Sequence, residues 1–294
     1  MKILLATDGS AYSEGAAKFL ACLDWRPDDE LTVFHAVSWV PFVYDRESYL
    51  ETLKEIKKDI APRILNSAVE ILTPVKAKLS TAIIDGAAEY YIVDTSVAAG
   101  IDLIVMGARG VKGISSIFIG SVTKSVASHS PKPVLVTKLP VCSRAGKMKV
   151  LFATDGSEHS LAAAKLLTQL PFPGSSELTI LNVVWSDFSD IPERFALEIN
   201  DRIKDTVAET RSAELKESER IVEQARESLA GKFGAIQTLM KIADPSTEIL
   251  KTAKELKSDL IVVGCRGLRG IKGMLGSVSR NVLTHSTCAV LLVK

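Results

Sequence analysis

Residues 102–121 read DLIVMGARGVKGISSIFIGS, an apolar run followed by a glycine loop and then by a helical pattern. Glycine has no Cβ, so it accepts positive φ and lets backbone N–H groups approach a ligand closely. A helix that begins directly after such a loop points its unpaired first-turn N–H groups and its positive dipole end at the same place. The order of strand, Gly-x2-Gly-x9-Gly-Ser loop and helix therefore predicts a phosphate-binding loop.

The stretch occurs twice. Residues 259–277, DLIVVGCRGLRGIKGMLGS, repeat it with a Gly-x2-Gly-x8-Gly-Ser loop, and residues 1–20 match residues 148–167 from MKILLATDGS and MKVLFATDGS onward. A repeat of this length is a duplicated domain rather than a solenoid unit. The expected divisions are a first domain, a linker and a second domain, at residues 1–140, 141–147 and 148–294.

Composition narrows the class of protein. A chain of 294 residues with 47% hydrophobic and 24% charged residues predicts globular halves that each bury a core. The net charge of +1 gives no long-range attraction to nucleic acid or to a membrane surface, so neither is expected as a partner. No apolar run approaches the ~18 residues that span a bilayer, and the N-terminus turns polar too early for a secretory signal. We therefore expect a cytoplasmic protein. Because its cysteines lack paired metal spacing, we also expect free thiols.

Each half alternates short apolar runs with helical periodicity. Runs such as KILLAT and PVLVTK are rich in β-branched residues and apolar on both faces, which is typical of parallel strands covered by helices on both sides. The right-handed crossover rule leaves few topologies for such units. We therefore predict an α/β fold of two Rossmann-like doubly wound domains, each a five-stranded parallel sheet with helices on both faces.

The T-D-G-S turn after the first strand places a carboxylate at the expected ligand crevice. In doubly wound sheets this crevice lies at the carboxyl ends of the strands, where the strand order reverses. Asp8 and Asp155 occupy that place and could accept hydrogen bonds from a base or a sugar. The turn also has a purely structural interpretation, in which Ser10 and Ser157 cap the following helices.

Taken together, these residues resemble the universal stress proteins in their tandem-domain form. The resemblance rests on the strand with T-D-G-S, the D-L-I-V-M-G strand, the glycine loop, and the closing P-V-L-V strand after a Ser-His-Ser turn. Family members that keep the glycine motif bind ATP or AMP, and members that have lost it do not. The resemblance implies an adenine-nucleotide-binding stress-response regulatory protein, with ATP or AMP as the ligand and Mg as a companion of ATP.

The resemblance also implies which residues contact the nucleotide. Asp8 and the backbone of Ala36 would face the adenine, Gly107 and Arg109 the ribose, and the later loop residues the phosphates. The implied set of the first half is Thr7, Asp8, Ala36, Gly107, Arg109, Gly110, Gly120, Ser121 and Val122. The matching positions of the second half are Asp155, Val183, Gly264, Arg266, Gly267, Gly276, Ser277 and Val278. The second loop is one residue shorter, which puts the spacing of its phosphate donors in question.

The same residues are also compatible with other functions. The glycine loops could be mere strand-to-helix connections, and Lys112, Arg269 and Lys272 could either neutralise phosphate or be solvated. Because no Gly-x4-Gly-Lys-Ser/Thr motif and no paired acidic metal site occur, we expect little or no catalysis. The alternatives are a slow ATPase, a self-phosphorylating protein that uses Ser121 or Ser277, an adenylyl-transferring enzyme, or an assembly module with inactive sites.

Several further features have structural interpretations. We expect His129 and His285 to lie at helix ends, His35 to be a strand-end residue, and Cys265 to be an inert small residue rather than a reactive thiol. The charged stretch 187–227 predicts a long surface helix after the second strand of the second half, which could serve as a lid or a partner face. The closing strands VLVTK and AVLLVK are apolar edges, so we expect them to join the halves as an intrachain pseudo-dimer, and whole chains could also form a homodimer.

Overall fold

The structure, a computed structural model, describes residues 1–37, 47–110, 119–139, 147–185, 201–268 and 275–294. In this part of the chain, strands and helices alternate. The strands are β1 Lys2–Ala6, β2 Glu30–Val37, β3 Lys78–Asp85, β4 Leu103–Gly107, β5 Val134–Thr137, β6 Lys149–Ala153, β7 Glu177–Val184, β8 Ala235–Ile242, β9 Leu260–Gly264 and β10 Ala289–Val293. The helices are α1 Ala11–Ala21, α2 Glu47–Leu72, α3 Ala88–Ala98, α4 Ser121–His129, α5 Glu158–Gln169, α6 Asp201–Ser228, α7 Pro245–Leu256 and α8 Ser277–His285.

The strands form one sheet in the order β3-β2-β1-β4-β5-β10-β9-β6-β7-β8. All pairs within the first five strands are parallel, and so are all pairs within the last five. The order reverses between β1 and β4 and again between β6 and β9. The predicted doubly wound α/β fold is therefore confirmed, and the expected crevices lie beside β1 and β6.

Side chains from successive residues of the central strands enter two different cores. Ile3 and Leu5 belong to the core on one face of the sheet, and Leu4 belongs to the core on the other face. All three side chains are fully buried, because successive residues of a strand point to opposite faces and helices cover both. This two-sided burial explains why these strands read as continuous apolar runs.

The two halves meet at their closing strands. β5 and β10 pair antiparallel, with Leu135 opposite Leu291 and Val136 opposite Val290. These four residues are at most 2% exposed, so the pairing buries apolar strand edges that would otherwise invite aggregation. The predicted pairing of the closing strands is confirmed, and it makes one continuous sheet of the two halves.

A lysine after each closing strand caps a helix of the other half. Lys138 Nζ donates hydrogen bonds to the carbonyls of Leu283, Thr284 and Ser286 at the end of α8, at 2.6, 3.2 and 2.7 Å. Lys294 Nζ donates in the same way to the Ala127 carbonyl of α4. The last carbonyls of a helix lack intrahelical partners and carry its negative dipole end, so both contacts are favourable. Burial lowers the pKa of Lys138 to about 8.

Other expectations about the helices can be compared with the structure. His129 and His285 end α4 and α8, where each Nδ1 lies about 3 Å from a carbonyl one turn earlier, as a structural role requires. Helix α6 covers residues 201–227 of the charged stretch, whereas residues 187–200 of that stretch lie outside the described residues. The predicted linker also lies outside them, except for Lys147. None of the described helices combines the length and the apolar character needed to cross a bilayer.

We predict that Lys138→Ala weakens the junction between the halves. The substitution leaves helix carbonyls without a donor, so the free energy of unfolding should fall by about 1–3 kcal/mol. Urea unfolding of the full chain measures this change. Lys165→Ala, at an exposed position of α5, is the matched control and should change stability by less than about 0.5 kcal/mol. Equal effects of the two substitutions would show that the capping contact contributes nothing.

Candidate functional site

The T-D-G-S turn holds its carboxylate in a fixed position. Asp8 Oδ1 accepts a hydrogen bond from the Ser10 N–H at 3.1 Å, and the Ser10 hydroxyl accepts one from the Ser13 N–H at the start of α1. The second half repeats both contacts, with Asp155 Oδ1 3.0 Å from the Ser157 nitrogen. The predicted capping role of the two serines is therefore confirmed, and it fixes the aspartates as well.

The side chain of Thr7 stabilises the same turn. Its hydroxyl donates to Ser13 Oγ at 3.0 Å and accepts from the Gly9 N–H at 3.3 Å, and the residue is buried. The Thr7 carbonyl lies 2.8 Å from His35 Nδ1, and in the second half the Asn182 amide donates to the matching carbonyl at 2.7 Å. The polar groups of Thr7 are thus engaged in the turn, and His35 has the structural role expected of a strand-end residue.

The first glycine of each loop allows β4 and β9 to pack against the preceding helices. A Cβ on Gly107 would lie 2.6 Å from the Tyr12 carbonyl carbon, closer than real Cβ atoms come. A Cβ on Gly264 would lie 2.9 Å from His159 Cβ. Helix α1 therefore starts directly beside the end of β4, and α5 directly beside the end of β9, only because these residues lack side chains.

The second glycine of each loop touches the aspartate of the turn. A Cβ on Gly110 would overlap Asp8 Oδ2, and one on Gly267 would lie 2.6 Å from Asp155 Oδ2. In the second half, the N–H of Leu268 also donates to Asp155 Oδ2 at 3.2 Å. The structure thus brings the carboxylate and the glycine loop into contact at the reversal of strand order.

The third glycine of each loop immediately precedes a helix. The Gly120 N–H donates to the Ala108 carbonyl at 2.9 Å, and the Gly276 N–H donates to the Cys265 carbonyl at 2.8 Å. These two N–H groups therefore join the residue before each helix to the residue that follows β4 or β9. The next residues, Ser121 in α4 and Ser277 in α8, begin the first turns, whose N–H groups have no intrahelical acceptor.

A hydroxyl in each first turn ties the helix back to its strand, which sequence reasoning missed. Thr123 Oγ1 donates to the Gly107 carbonyl at 2.9 Å, and Ser279 Oγ donates to the Gly264 carbonyl at 2.7 Å. Both residues are buried. The available signal was the recurrence of a hydroxyl residue at the third helical position in both halves.

Arg109 lies at the rim of the first crevice. Its guanidinium carbon is 5.2 Å from the centre of the Tyr12 ring, and its carbonyl accepts a hydrogen bond from the Ser10 hydroxyl at 3.3 Å. The Arg266 carbonyl accepts the corresponding bond from Ser157 at 3.4 Å. The loop and the capping serine are thereby joined in both halves.

The second half contains a cavity of about 950 Å³ at this place. Its walls come from the ends of β6, β7 and β9, the glycine loop, the start of α8, and the facing sides of α6 and α7. Every second-half residue of the predicted set lines it: Asp155, Val183, Gly264, Arg266, Gly267, Gly276, Ser277 and Val278. Sequence reasoning named the helix as a surface helix that could be a lid or a partner face, but it did not foresee that Glu214, Glu217 and Ser218 of α6 line the same cavity.

The cysteines, the basic loop residues and the expectation about metal sites can also be compared with the structure. Cys265 is 2% exposed and its sulfur lies 3.8 Å from His159 Nδ1, which fits the expected inert residue. Cys265 and Cys288 are free thiols, as predicted. Lys112, Arg269 and Lys272 fall outside the described residues. Among the residues that the structure describes, no three His, Cys, Asp or Glu side chains are grouped to hold a metal ion.

Comparison with known proteins identifies relatives of both halves. A family model described as "Universal stress protein family" matches residues 1–138 and again residues 147–294. Universal stress protein YxiE of Bacillus subtilis is 38% identical over 156 residues, 50% of this chain and 98% of that protein. A universal stress protein of Mycolicibacterium smegmatis is 24% identical over 301 residues, 99% of this chain and 96% of that protein. The crystal structure of a universal stress protein from Archaeoglobus fulgidus superposes with a TM-score of 0.66 at 21% identity, covering 100% of this chain and 96% of that one.

We predict that Gly107→Ala destabilises the chain whereas Gly174→Ala does not. The new methyl group at position 107 would collide with the Tyr12 backbone, so the free energy of unfolding should fall by about 1–3 kcal/mol. A Cβ on Gly174 meets no heavy atom within 4 Å. Urea unfolding compares the two variants. A Gly107→Ala protein as stable as the Gly174→Ala protein would mean that α1 shifts away without cost.

Proposed function

The chain belongs to the universal stress protein family, and from this we propose that each half binds an adenine nucleotide, ATP or AMP. The protein would act as a stress-response regulator with little or no catalysis, and the cytoplasmic location expected from the sequence belongs to the same proposal. One observation carries it. The carboxylate of the turn, the glycine loop and a helix N-terminus converge on one crevice, which in the second half is a cavity of about 950 Å³.

The geometry suggests how phosphate would be held. The N–H groups of Gly120 and Gly276 already donate to the carbonyls of Ala108 and Cys265, so the described donors that follow these glycines and could hold a phosphate are those of the first helical turn. Ser121 and Val122 provide them in the first half, and Ser277 and Val278 in the second. The positive end of each helix dipole favours an anion at the same position.

The base and the sugar would lie on the other side of the crevice. Asp8 and Asp155 keep their Oδ2 atoms at the second loop glycines, where an N–H or O–H group of a nucleoside could reach a carboxylate. Ala36 and Val183 lie near the ends of β2 and β7 and would contribute backbone groups. Mg, when it accompanies ATP, would be held mainly through the phosphate oxygens and water, as is usual for this ion.

The proposal treats residues 1–140 and 148–294 as two binding domains, each with its own ligand. Its enzymatic alternatives are a slow ATPase, a protein that phosphorylates itself on Ser121 or Ser277, and an adenylyl-transferring enzyme. Incubation of the purified chain with ATP distinguishes them, because binding alone releases neither ADP nor AMP and adds no phosphate to the protein. An assembly module with inactive sites would bind no nucleotide at all.

We predict that the full chain binds two adenine nucleotides and that Gly120→Val removes one of them. A Cβ at this position has room, at 3.4 Å from Arg109 Cα, so the fold should survive while the branched side chain blocks the phosphate from the start of α4. Isothermal titration calorimetry should show the stoichiometry fall from two to one. Gly174→Val is the control. Unchanged stoichiometry in the Gly120→Val protein would remove the first loop from the site.

We also predict that the two sites differ in their preference for phosphates. The second loop is one residue shorter between its last two glycines, so it wraps less of a triphosphate, whereas the start of α8 still holds one phosphate. Titrations of Gly120→Val and Gly276→Val chains isolate the second and first sites respectively. The second site should bind ATP more weakly than the first, by about tenfold or more, and AMP about equally. Equal ATP affinities would show that the shorter loop compensates.

A further inference from the structure

Helix α6 presents an acidic stripe to the second cavity. Glu214, Glu217, Ser218 and Ile221 all line the cavity, and their spacing of three, four and seven residues places them on one face of the helix. Ile221 packs at the T-D-G-S turn, where its Cδ1 would lie 3.1 Å from a Cβ on Gly156. The acidic side chains therefore extend from the turn along one wall of the cavity.

The corresponding wall of the first half has a different charge. Ile64 of α2 packs against Gly9 at the same 3.1 Å, which makes Ile64 the counterpart of Ile221. Counting back along both helices, Lys57, Ile60 and Ala61 correspond to Glu214, Glu217 and Ser218. Helix α2 thus carries a lysine and an isoleucine at the positions where α6 carries the two glutamates.

The two carboxylates are not equivalent. Glu217 forms an exposed ion pair with Arg220 at 2.6 Å, which partly neutralises its charge. Glu214 is half-buried, and its Oε2 is shielded from solvent with no hydrogen-bond partner in the described part of the chain. Buried carboxylate oxygens are normally satisfied, so this one requires a donor. The terminal torsion of a glutamate is soft, so the carboxylate can turn toward the cavity without movement of the helix.

We propose that Glu214 is a ligand-selecting residue of the second site, where its carboxylate accepts a hydrogen bond from an N–H or O–H group of a nucleoside or nucleoside monophosphate. The same charge disfavours a triphosphate, because like charges repel and a triphosphate carries more negative charge than a monophosphate. The inference rests on the proposed function of this cavity. According to this inference, a residue of α6 makes the second site prefer ligands that carry little negative charge and a hydrogen-bond donor. This effect is independent of the shorter loop.

The test uses the full chain with Gly120→Val, so that calorimetry reports the second site alone. AMP should bind more tightly than ATP, with or without Mg²⁺. Glu214→Lys, which copies the residue type at position 57, should shift the ratio of ATP to AMP affinity toward ATP by about tenfold or more, and Glu214→Gln should shift it less. Glu219→Lys makes the same charge change at an exposed position of α6 that does not line the cavity, and it should leave the ratio within about twofold.

Analogue ligands identify the donor. If the ribose hydroxyls donate, 2′,3′-dideoxy-AMP should bind about tenfold more weakly than AMP to the Gly120→Val chain, and this difference should largely vanish when Glu214→Ala is added. If the exocyclic amine donates, inosine monophosphate should behave in that way instead. Losses that are the same with Glu214 and with Glu214→Ala would overturn the hydrogen bond. Thermal unfolding of each variant shows that the fold is retained.

Failure of this inference can be separated from failure of the proposed function. If neither the wild-type chain nor the Gly120→Val chain binds any adenine nucleotide, both are wrong. If AMP binds but Glu214→Lys leaves the affinity ratio unchanged, only the role of Glu214 is wrong. That role is also wrong if Mg²⁺ and ATP together bind more tightly to the chain with Glu214 than to the chain with Glu214→Lys, because the carboxylate would then hold a cation rather than a ligand donor.

Discussion

The close approach of two glycines to two carboxylates is the constraint on which the candidate sites depend. Gly110 lies against Asp8 and Gly267 against Asp155, with no space for a Cβ in either place. Such contacts arise because β1 and β4, like β6 and β9, are parallel neighbours whose carboxyl ends meet where the strand order reverses. Each site is therefore a consequence of sheet topology, and the turn, loop and helix that follow are held in register by it.

The antiparallel pairing of β5 and β10 makes each candidate site depend on the other half of the chain as well. It brings Lys138 to the C-terminal end of α8 and Lys294 to that of α4, so each helix behind a glycine loop is held at its far end by the opposite half. A cation at the negative end of a helix dipole and an anion at its positive end act in the same sense. The lysines of the junction at the C-terminal ends of α4 and α8, and a phosphate at their N-terminal ends, would therefore both interact favourably with the dipoles of these two helices.

Much of the fold followed from local sequence pattern, whereas the contacts that depend on three-dimensional neighbours did not. Apolar runs and loop glycines predicted the parallel sheet, its reversal points and the pairing of the closing strands. The capping by Lys138 could not be predicted, because it depends on where an antiparallel partner brings α8. The role of the Gly120 N–H as an internal donor was equally hidden, since a sequence does not show whether an amide already has an acceptor. The acidic wall of α6 was missed because charged helical stretches are usually solvated faces.

Comparison of the two copies distinguishes residues that hold each candidate site together from residues at positions where the copies differ. Several pairs that brace the turn, cap the helices or join the halves carry the same residue type in both copies: Thr7 and Thr154, Gly9 and Gly156, Ser10 and Ser157, Lys138 and Lys294. Other pairs make the same contact with different residues, as Thr123 and Ser279 do. The copies differ at Lys57 and Glu214, which occupy matching positions of α2 and α6, and in the length of the glycine loop. The two copies therefore share most of the contacts that build the candidate sites but differ in charge at this helical position, and the proposed ligand preference of the second site rests on that difference.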